Sequence, residues 1–173
     1  MKAGGIVAVV ALSTMVAFAG TVPRDQRKVA PDFALETTKG DGISLSAYRG
    51  RVVLLDFWAT WCTGCKVEIP WFVEFHKKYQ RQGLVTIGVA MDEEGTRVIA
   101  PYVNEHRIPY LIASGYPSLV KPYEITTLPV TLLIDKAGRI ADVHAGVVDK
   151  TVWEQEIQDL LRERMVPQSF KKF

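Results

Sequence analysis

The 173-residue chain has only two cysteines, Cys62 and Cys65, and two residues separate them in the stretch WCTGC. A pair this close suits three kinds of chemistry: half of a zinc site, a structural disulfide, or a dithiol that opens and closes during a reaction. A structural bridge here would restrain only the two intervening residues, and loop-closure stabilisation grows with loop length. The spacing therefore favours a redox-active dithiol over a structural disulfide.

A soft-metal site, as in a copper-binding or copper-delivery module, is the alternative use of two thiols. Zinc normally takes four ligands, and the three histidines, His76, His106 and His144, show no paired spacing. We expect these histidines on the surfaces of helices or strands, and we predict no metal site and no cofactor. Metal delivery stays as the alternative function.

Two carboxylates lie near the cysteines in the sequence. Asp56 stands within the apolar run RVVLLDFW, and Glu68 follows Cys65 by three residues in CKVEIP. Burial disfavours a charged carboxylate, so we expect a raised pKa for Asp56, in the range where it exchanges protons near neutrality. We predict that Asp56 or Glu68 accepts the proton of Cys65 when this thiol attacks. The alternatives are that Asp56 satisfies backbone donors and that Glu68 is a solvated helix residue.

A strand followed by a helix must position the dithiol. RVVLLDFW is rich in branched residues and predicts a strand buried on both faces, and apolar residues at three- and four-residue spacing predict an amphipathic helix over 63–81, kinked at Pro70. The junction places Cys62 at the helix N-terminus, where free N–H groups and the macrodipole favour a thiolate. Cys65 lies one turn further in and is suited to resolving a mixed disulfide. The apolar positions of the predicted helix are Val67, Trp71, Phe72, Phe75 and Tyr79.

Strands and helices alternate along the rest of the chain. FALET and ISLSAY predict an N-terminal β-hairpin, and LVTIGVA, IPYLIA, TLPVTLLID and RIADVHAGV predict four more strands. DEEGTRVIAPYVNEHR predicts a helix capped near Asp92 or Thr96, and KTVWEQEIQDLLRER predicts a closing helix. Alternation implies parallel crossovers, and the last two strands add antiparallel pairs. The predicted fold class is therefore α/β, a mixed β-sheet covered by helices, with an N-terminal hairpin.

The two ends of the chain differ from this domain. Lys2 precedes an uncharged run that ends in Ala17-Phe18-Ala19, which predicts a signal peptide over 1–19, with an uncleaved anchor as the alternative. Both interpretations place the domain outside the cytoplasm, in a bacterial periplasm. The charged, proline-broken segment 20–30 predicts a linker, 31–165 the domain, and 166–173 a tail. A net charge of +2, without basic stretches interleaved with aromatics, argues against a nucleic-acid partner.

Taken together, these motifs resemble the thioredoxin superfamily, and specifically the TlpA/ResA-like extracytoplasmic thiol-disulfide oxidoreductases. The resemblance extends from about Pro31 to Leu161 through PDFALET, LLDFWATWCTGC, TLPVTLLID and DKAGRI. It implies a thioredoxin-like fold in which 92–113 forms an inserted helix and strand. It also implies that Cys62 is the nucleophile, that Cys65 resolves the mixed disulfide, and that the two form a disulfide when oxidised.

The resemblance also assigns the surroundings of the dithiol. Pro129, in Leu128-Pro129, is implied to be the cis-proline, whereas an ordinary trans turn is the alternative from sequence alone. Asp56 resembles the buried aspartate of thioredoxin, and Glu68 the carboxylate beside the site of ResA-like members. The residues expected to contact the substrate are Trp61, Thr63, Gly64, Leu128 and Pro129.

Departures from the family pattern bear on the direction of the reaction. Thr63-Gly64 places no histidine between the cysteines, so the thiolate lacks one stabiliser found in strong oxidants, which favours a reductant. Val130 stands where some cytochrome-maturation members have an acidic residue, which weakens that substrate assignment. We expect a monomer that reduces disulfide-containing proteins, with apocytochromes c as candidate substrates and a membrane thiol reductase as electron donor. The chain lacks the Thr/Ser-rich proline motif of peroxidases.

Overall fold

The computed structural model describes residues 20–165, so the predicted signal peptide over 1–19 and the predicted tail over 166–173 lie outside the described residues. The strands are β1 (Ala34–Glu36), β2 (Gly42–Ser44), β3 (Val52–Trp58), β4 (Leu84–Ala90), β5 (Leu111–Ser114), β6 (Val130–Ile134) and β7 (Ile140–Ala145). The α-helices are α1 (Thr63–Tyr79), α2 (Thr96–Glu105) and α3 (Lys150–Arg162).

The central sheet has five strands in the order β5-β4-β3-β6-β7. β3, β4 and β5 are parallel, whereas β6 and β7 run antiparallel to their neighbours. β1 and β2 form the separate antiparallel hairpin. The predicted mixed sheet, the hairpin and the helix-strand pair of α2 and β5 are thus confirmed. β3 and β4 are buried at every position, as expected of central strands with continuous apolar runs.

The core has two layers, one on each face of the sheet. One layer packs the sheet against all three α-helices, with Phe72 from α1, Ile99 from α2 and Trp153 from α3 fully buried. The other face is covered by the hairpin and by the chain between β5 and β6, which contributes Leu119 and Tyr123. That connection forms only a short 3-10 helix, Pro117–Leu119, so the α-helices lie on one face.

The two N-terminal helices differ in detail from their predicted patterns. α1 continues through Pro70, but Val67, predicted on its apolar face, is 45% exposed, while Glu68 is buried. The buried stripe passes instead through Cys65, Glu68 and Phe72, which are spaced three or four residues apart on one face of the helix. Val67 precedes Glu68 by one residue, which is a rotation of about 100°, and so it lies outside this stripe. α2 begins at Thr96 with Gly95 as its N-cap, so the predicted start near Thr96 is correct to within one residue, whereas Asp92 is not the cap.

Part of the segment predicted to be a linker, 20–30, packs against the domain. The backbone N–H of Val22 donates to the carbonyl of Ala141 at 2.7 Å. Arg27 is buried and pairs with Asp135 at 3.1 Å and with Glu163 at 2.7 Å. The charge of Arg27 is therefore neutralised inside the protein. The charged composition of the segment 20–30 alone does not indicate this pairing. None of the helices in 20–165 has the length and apolarity needed to cross a membrane.

Candidate active site

The dithiol lies where β3 gives way to α1. Cys62 is the N-cap residue of α1, and a disulfide joins it to Cys65 with the two Sγ atoms 2.07 Å apart. The backbone N–H of Cys65 donates to Sγ of Cys62 at 3.1 Å. A thiolate at Cys62 would receive this donor together with the positive end of the helix dipole, and both stabilise an anion. The arrangement can therefore support a nucleophilic Cys62.

Access to the sulfur pair differs between its two members. Cys62 is 4% exposed and Cys65 is 1% exposed, so the pair is largely enclosed and Cys62 is the more accessible. The neighbouring Trp61 is 65% exposed, and Thr63 is also exposed. An attacking sulfur would reach Cys62 before Cys65.

The loop before β6 closes the site from the side. The Leu128-Pro129 peptide bond is cis, as the resemblance implied. A Cβ atom built on Gly64 would lie 3.1 Å from Cδ of Pro129 and 3.1 Å from Cγ2 of Val147. This distance is tighter than an ordinary van der Waals contact, so a glycine between the cysteines lets α1 approach the proline loop. The structure thus brings Gly64, Leu128 and Pro129 next to the disulfide.

Asp56 lies within β3, the strand that leads to this junction, and is 1% exposed. Its partner across the β3-β6 ladder is Thr131, whose hydroxyl donates to Oδ1 of Asp56 at 3.1 Å. Burial, and then the negative charge of Glu68, raise the pKa of Asp56 from 3.8 to about 8. The expected raised pKa is therefore present, and Asp56 can exchange a proton at near-neutral pH.

Glu68 is also buried, at 1% exposure, so the alternative of a solvated helix residue is wrong. Its Oε1 accepts hydrogen bonds from the indole N–H of Trp153 at 3.1 Å and the backbone N–H of Val148 at 3.2 Å. Its Oε2 is buried without a hydrogen-bond partner in the described residues. Burial raises the pKa of Glu68, although these two donors and the nearby His144 offset part of the rise.

His144 was expected on the surface of a helix or strand, and it lies on β7 with its side chain partly buried. Its side chain is 17% exposed, and its Nε2 lies 2.9 Å from Oε2 of Glu156 and 3.6 Å from Oδ2 of Asp142. Its ring meets the ring of Trp153 edge-on, with centroids 4.4 Å apart. Within 20–165, these three residues form the only group of three potential metal-ligating side chains, and neither cysteine belongs to it. Its atoms already satisfy one another as an ion-pair cluster, and we assign no metal to it.

Sequence reasoning did not identify the buried acids Glu156 and Asp92. Glu156 is 3% exposed and lies on the apolar face of α3 beside Trp153 and Ile157. A charged residue at a core position of an amphipathic helix is the signal that could have identified it. Asp92, proposed as a helix cap, accepts instead the backbone N–H and the hydroxyl of Thr60, just ahead of the cysteines. This contact fixes the loop between β3 and α1.

A groove opens beside the disulfide. Trp61 and Leu128 line one end, Tyr116 and Val120 line it further along, and its volume is about 750 Å³. Trp61, Tyr116 and Val120 are all well exposed. Exposed aromatic and aliphatic side chains around a concave surface are typical of a surface that binds apolar segments of other molecules.

Comparison with known proteins gives concordant matches. The model of the AhpC/TSA family matches residues 27–143. The thioredoxin-like protein YneN of Bacillus subtilis is 30% identical over 129 residues, covering 74% of this chain and 76% of that protein. The thiol-disulfide oxidoreductase ResA of Geobacillus kaustophilus is 31% identical over 132 residues, covering 76% and 75%. A Chlorobium tepidum structure assigned as the thiol:disulfide interchange protein DsbE superposes with a TM-score of 0.74 at 31% identity, covering 78% of this chain and 96% of that one.

Proposed function

The chain belongs to the AhpC/TSA family of thioredoxin-like proteins and is a ResA-like thiol-disulfide oxidoreductase, and from that premise we propose that it reduces protein disulfides outside the cytoplasm. The observation that carries the proposal is the Cys62–Cys65 disulfide at the N-terminus of α1, together with a buried carboxylate on the same helix, Glu68, and another on the preceding strand, Asp56.

The reaction transfers two electrons from the dithiol to the substrate. The Cys62 thiolate attacks one sulfur of the substrate disulfide, forming a mixed disulfide and releasing the first substrate thiol. Cys65 then loses its proton and attacks Sγ of Cys62, which releases the second substrate thiol and forms the Cys62–Cys65 disulfide. A membrane thiol reductase is the electron donor that we propose for restoring the dithiol.

Cys65 is 1% exposed, so water cannot readily accept its proton. A nearby side chain must therefore accept it. Glu68 follows Cys65 by three residues on α1, so the two side chains are neighbours on one helix face. Asp56, with a pKa of about 8, lies on β3 below them. We assign proton transfer to this carboxylate pair. Because their charges are coupled, their titration belongs to the pair and not to either residue.

The direction of electron flow follows from what stabilises the reduced form. A dithiol becomes strongly oxidising when its thiolate is stabilised, for example by a histidine between the cysteines. Here the intervening residues are Thr63 and Gly64, and an ionised Glu68, three residues from Cys65 on the same helix, disfavours a further negative charge. We therefore assign the role of reductant.

The reduction potential tests this assignment. Equilibration of the purified protein with glutathione buffers, read out by thiol alkylation, should give a potential nearer to about −270 mV than to about −120 mV. The protein trapped from intact cells should be mainly in the dithiol form. A potential near the upper value, with an oxidised cellular pool, would instead identify an oxidase. The Cys62→Ser variant provides the inactive control.

The substrate and the location extend the proposal. We infer that the groove beside Trp61 holds an extended apolar segment of the substrate, with apocytochromes c as candidates. Replacing Trp61 by Ala should raise KM for a disulfide-bonded apocytochrome peptide while leaving the reaction with a small disulfide unchanged. For location, fractionation and N-terminal sequencing should find the protein in the periplasm beginning at Gly20. A full-length cytoplasmic product would contradict the signal peptide.

A further inference from the structure

A row of polar side chains crosses the face of the sheet beneath α1 and α3. Asp56 on β3 is the ladder partner of Thr131 on β6, and Thr131 is the ladder partner of His144 on β7. Ladder partners on adjacent strands point to the same face, so the three side chains form a line from the central strand β3 to the edge strand β7. Thr131 links to Asp56 by its hydroxyl.

Two helices add acids to this row. Glu68 comes from α1 and Glu156 from α3, and both are buried. Trp153 connects Glu68 to His144, because its indole N–H donates to Glu68 while its ring packs edge-on against the ring of His144. The groups facing His144 are therefore Glu68 from α1, Glu156 from α3 and Asp142 from its own strand.

The outer end of the row is His144, whose Nε2 lies 2.9 Å from Oε2 of Glu156 and 3.6 Å from Oδ2 of Asp142. Burial alone would lower the pKa of His144, but the hydrogen bond to Glu156 and the charges of Glu156, Asp142 and Glu68 raise it on balance. The positive charge in turn favours the ionised form of Glu68. His144 reaches solvent at 17% exposure of its side chain, whereas Glu68 is enclosed.

We propose that His144 is a positioning residue for thiol-disulfide exchange: held by Glu156 and Asp142, it supplies the positive charge that keeps Glu68 ionised and able to accept the proton of Cys65. This inference rests on the proposed role of Glu68. His144 acts through Glu68 and does not touch the reacting sulfurs. Its charge therefore matters for the resolving step and not for the first attack by Cys62.

Reaction of the reduced full-length protein with the aromatic disulfide reagent DTNB separates the two steps, because each step releases one coloured thionitrobenzoate anion. His144→Gln keeps a hydrogen-bonding side chain but removes the charge. We expect the second release to slow about three- to tenfold near neutral pH, while the first release is unchanged. The acid limb of the pH profile of the second release should move to higher pH, because Glu68 then ionises at higher pH. At high pH, where Glu68 is ionised without help, the variant should match the wild type.

Three variants make the result decisive. His144→Lys restores a positive charge and should recover the rate of the second release, whereas His106→Gln removes an exposed histidine on another part of the surface and should change nothing. Equal slowing by His144→Gln at all pH values, without recovery in His144→Lys, would overturn the inference. Glu68→Gln separates this failure from that of the proposed function. If Glu68→Gln slows the second release and His144→Gln does not, only the role of His144 is wrong. If neither slows it, the role of Glu68 is wrong as well.

Discussion

Replacing Asp56 by Asn should stabilise the oxidised protein by an amount that grows with pH. The folded-state pKa of Asp56 is about 8, against 3.8 for the unfolded chain, so the folded protein holds this proton more tightly. The free energy of unfolding of the wild type must therefore fall as pH rises between these values, by about 1.4 kcal/mol per unit. Asn remains neutral throughout and escapes this loss.

The size of this stabilisation follows from the pH range between the unfolded-state and folded-state pKa values of Asp56, 3.8 and about 8. From about pH 5 to about pH 8 the advantage of Asp56→Asn over the wild type should increase by roughly 4 kcal/mol and then level off. At low pH the wild-type carboxyl is also neutral, so the difference in free energy of unfolding there reports only the change in packing. The increase of this difference with pH reports the ionisation of Asp56.

Urea unfolding of both oxidised proteins across this range measures the difference from midpoints and slopes. Asp41→Asn, which removes an exposed carboxylate, controls for the general effect of losing a negative charge. Parallel stability curves for wild type and Asp56→Asn would refute the reasoning, since they would mean that Asp56 is ionised in the fold at neutral pH.

The other predictions concern the dithiol, the proline loop and the N-terminal segment. Cys65→Ser should accumulate mixed disulfides with a peptide disulfide through Cys62, detected by mass spectrometry, and equal trapping by Cys62→Ser would reverse the two roles. Gly64→Ala should slow exchange, because its Cβ would lie 3.1 Å from Cδ of Pro129 and 3.1 Å from Cγ2 of Val147 and must shift one of them; an unchanged rate would remove the proline loop from the mechanism. Arg27→Met should destabilise by about 3–5 kcal/mol, because it leaves Asp135 buried without this partner. A neutral result would mean that Arg139 alone satisfies Asp135.

The sequence predicted the fold largely because its strongest patterns are local. β3 and β4 are continuous apolar runs, and such runs identify buried strands without knowledge of their neighbours. The error at Val67 arose because several apolar spacings fit the same helix, and only packing selects between them. The buried pairing of Arg27 could not be predicted, because its partners Asp135 and Glu163 are 108 and 136 residues away.

The candidate site divides in the same way. Cys62, Cys65 and Asp56 could be identified from local sequence patterns. These are the spacing of the two cysteines and a charged residue within an apolar run. His144 and Glu156 lie 12 residues apart on different elements, and the ladder from Asp56 through Thr131 to His144 depends on strand register. Strand order and register are set by the whole sheet, so no local pattern brings these residues together.

The buried carboxylates are costly for the fold, and their cost indicates their chemistry. A solvated aspartate with a pKa near 3.8 would be a poor acceptor for a thiol proton with a pKa of about 8.5, because the transfer would be uphill by about 6 kcal/mol. Burial that raises the pKa of Asp56 to about 8 brings donor and acceptor within about one unit, which makes the transfer nearly neutral in free energy. An apolar side chain at this position of β3 would serve the core better, since it carries no desolvation penalty. The same burial that weakens the fold at neutral pH therefore creates the base that the second thiol requires.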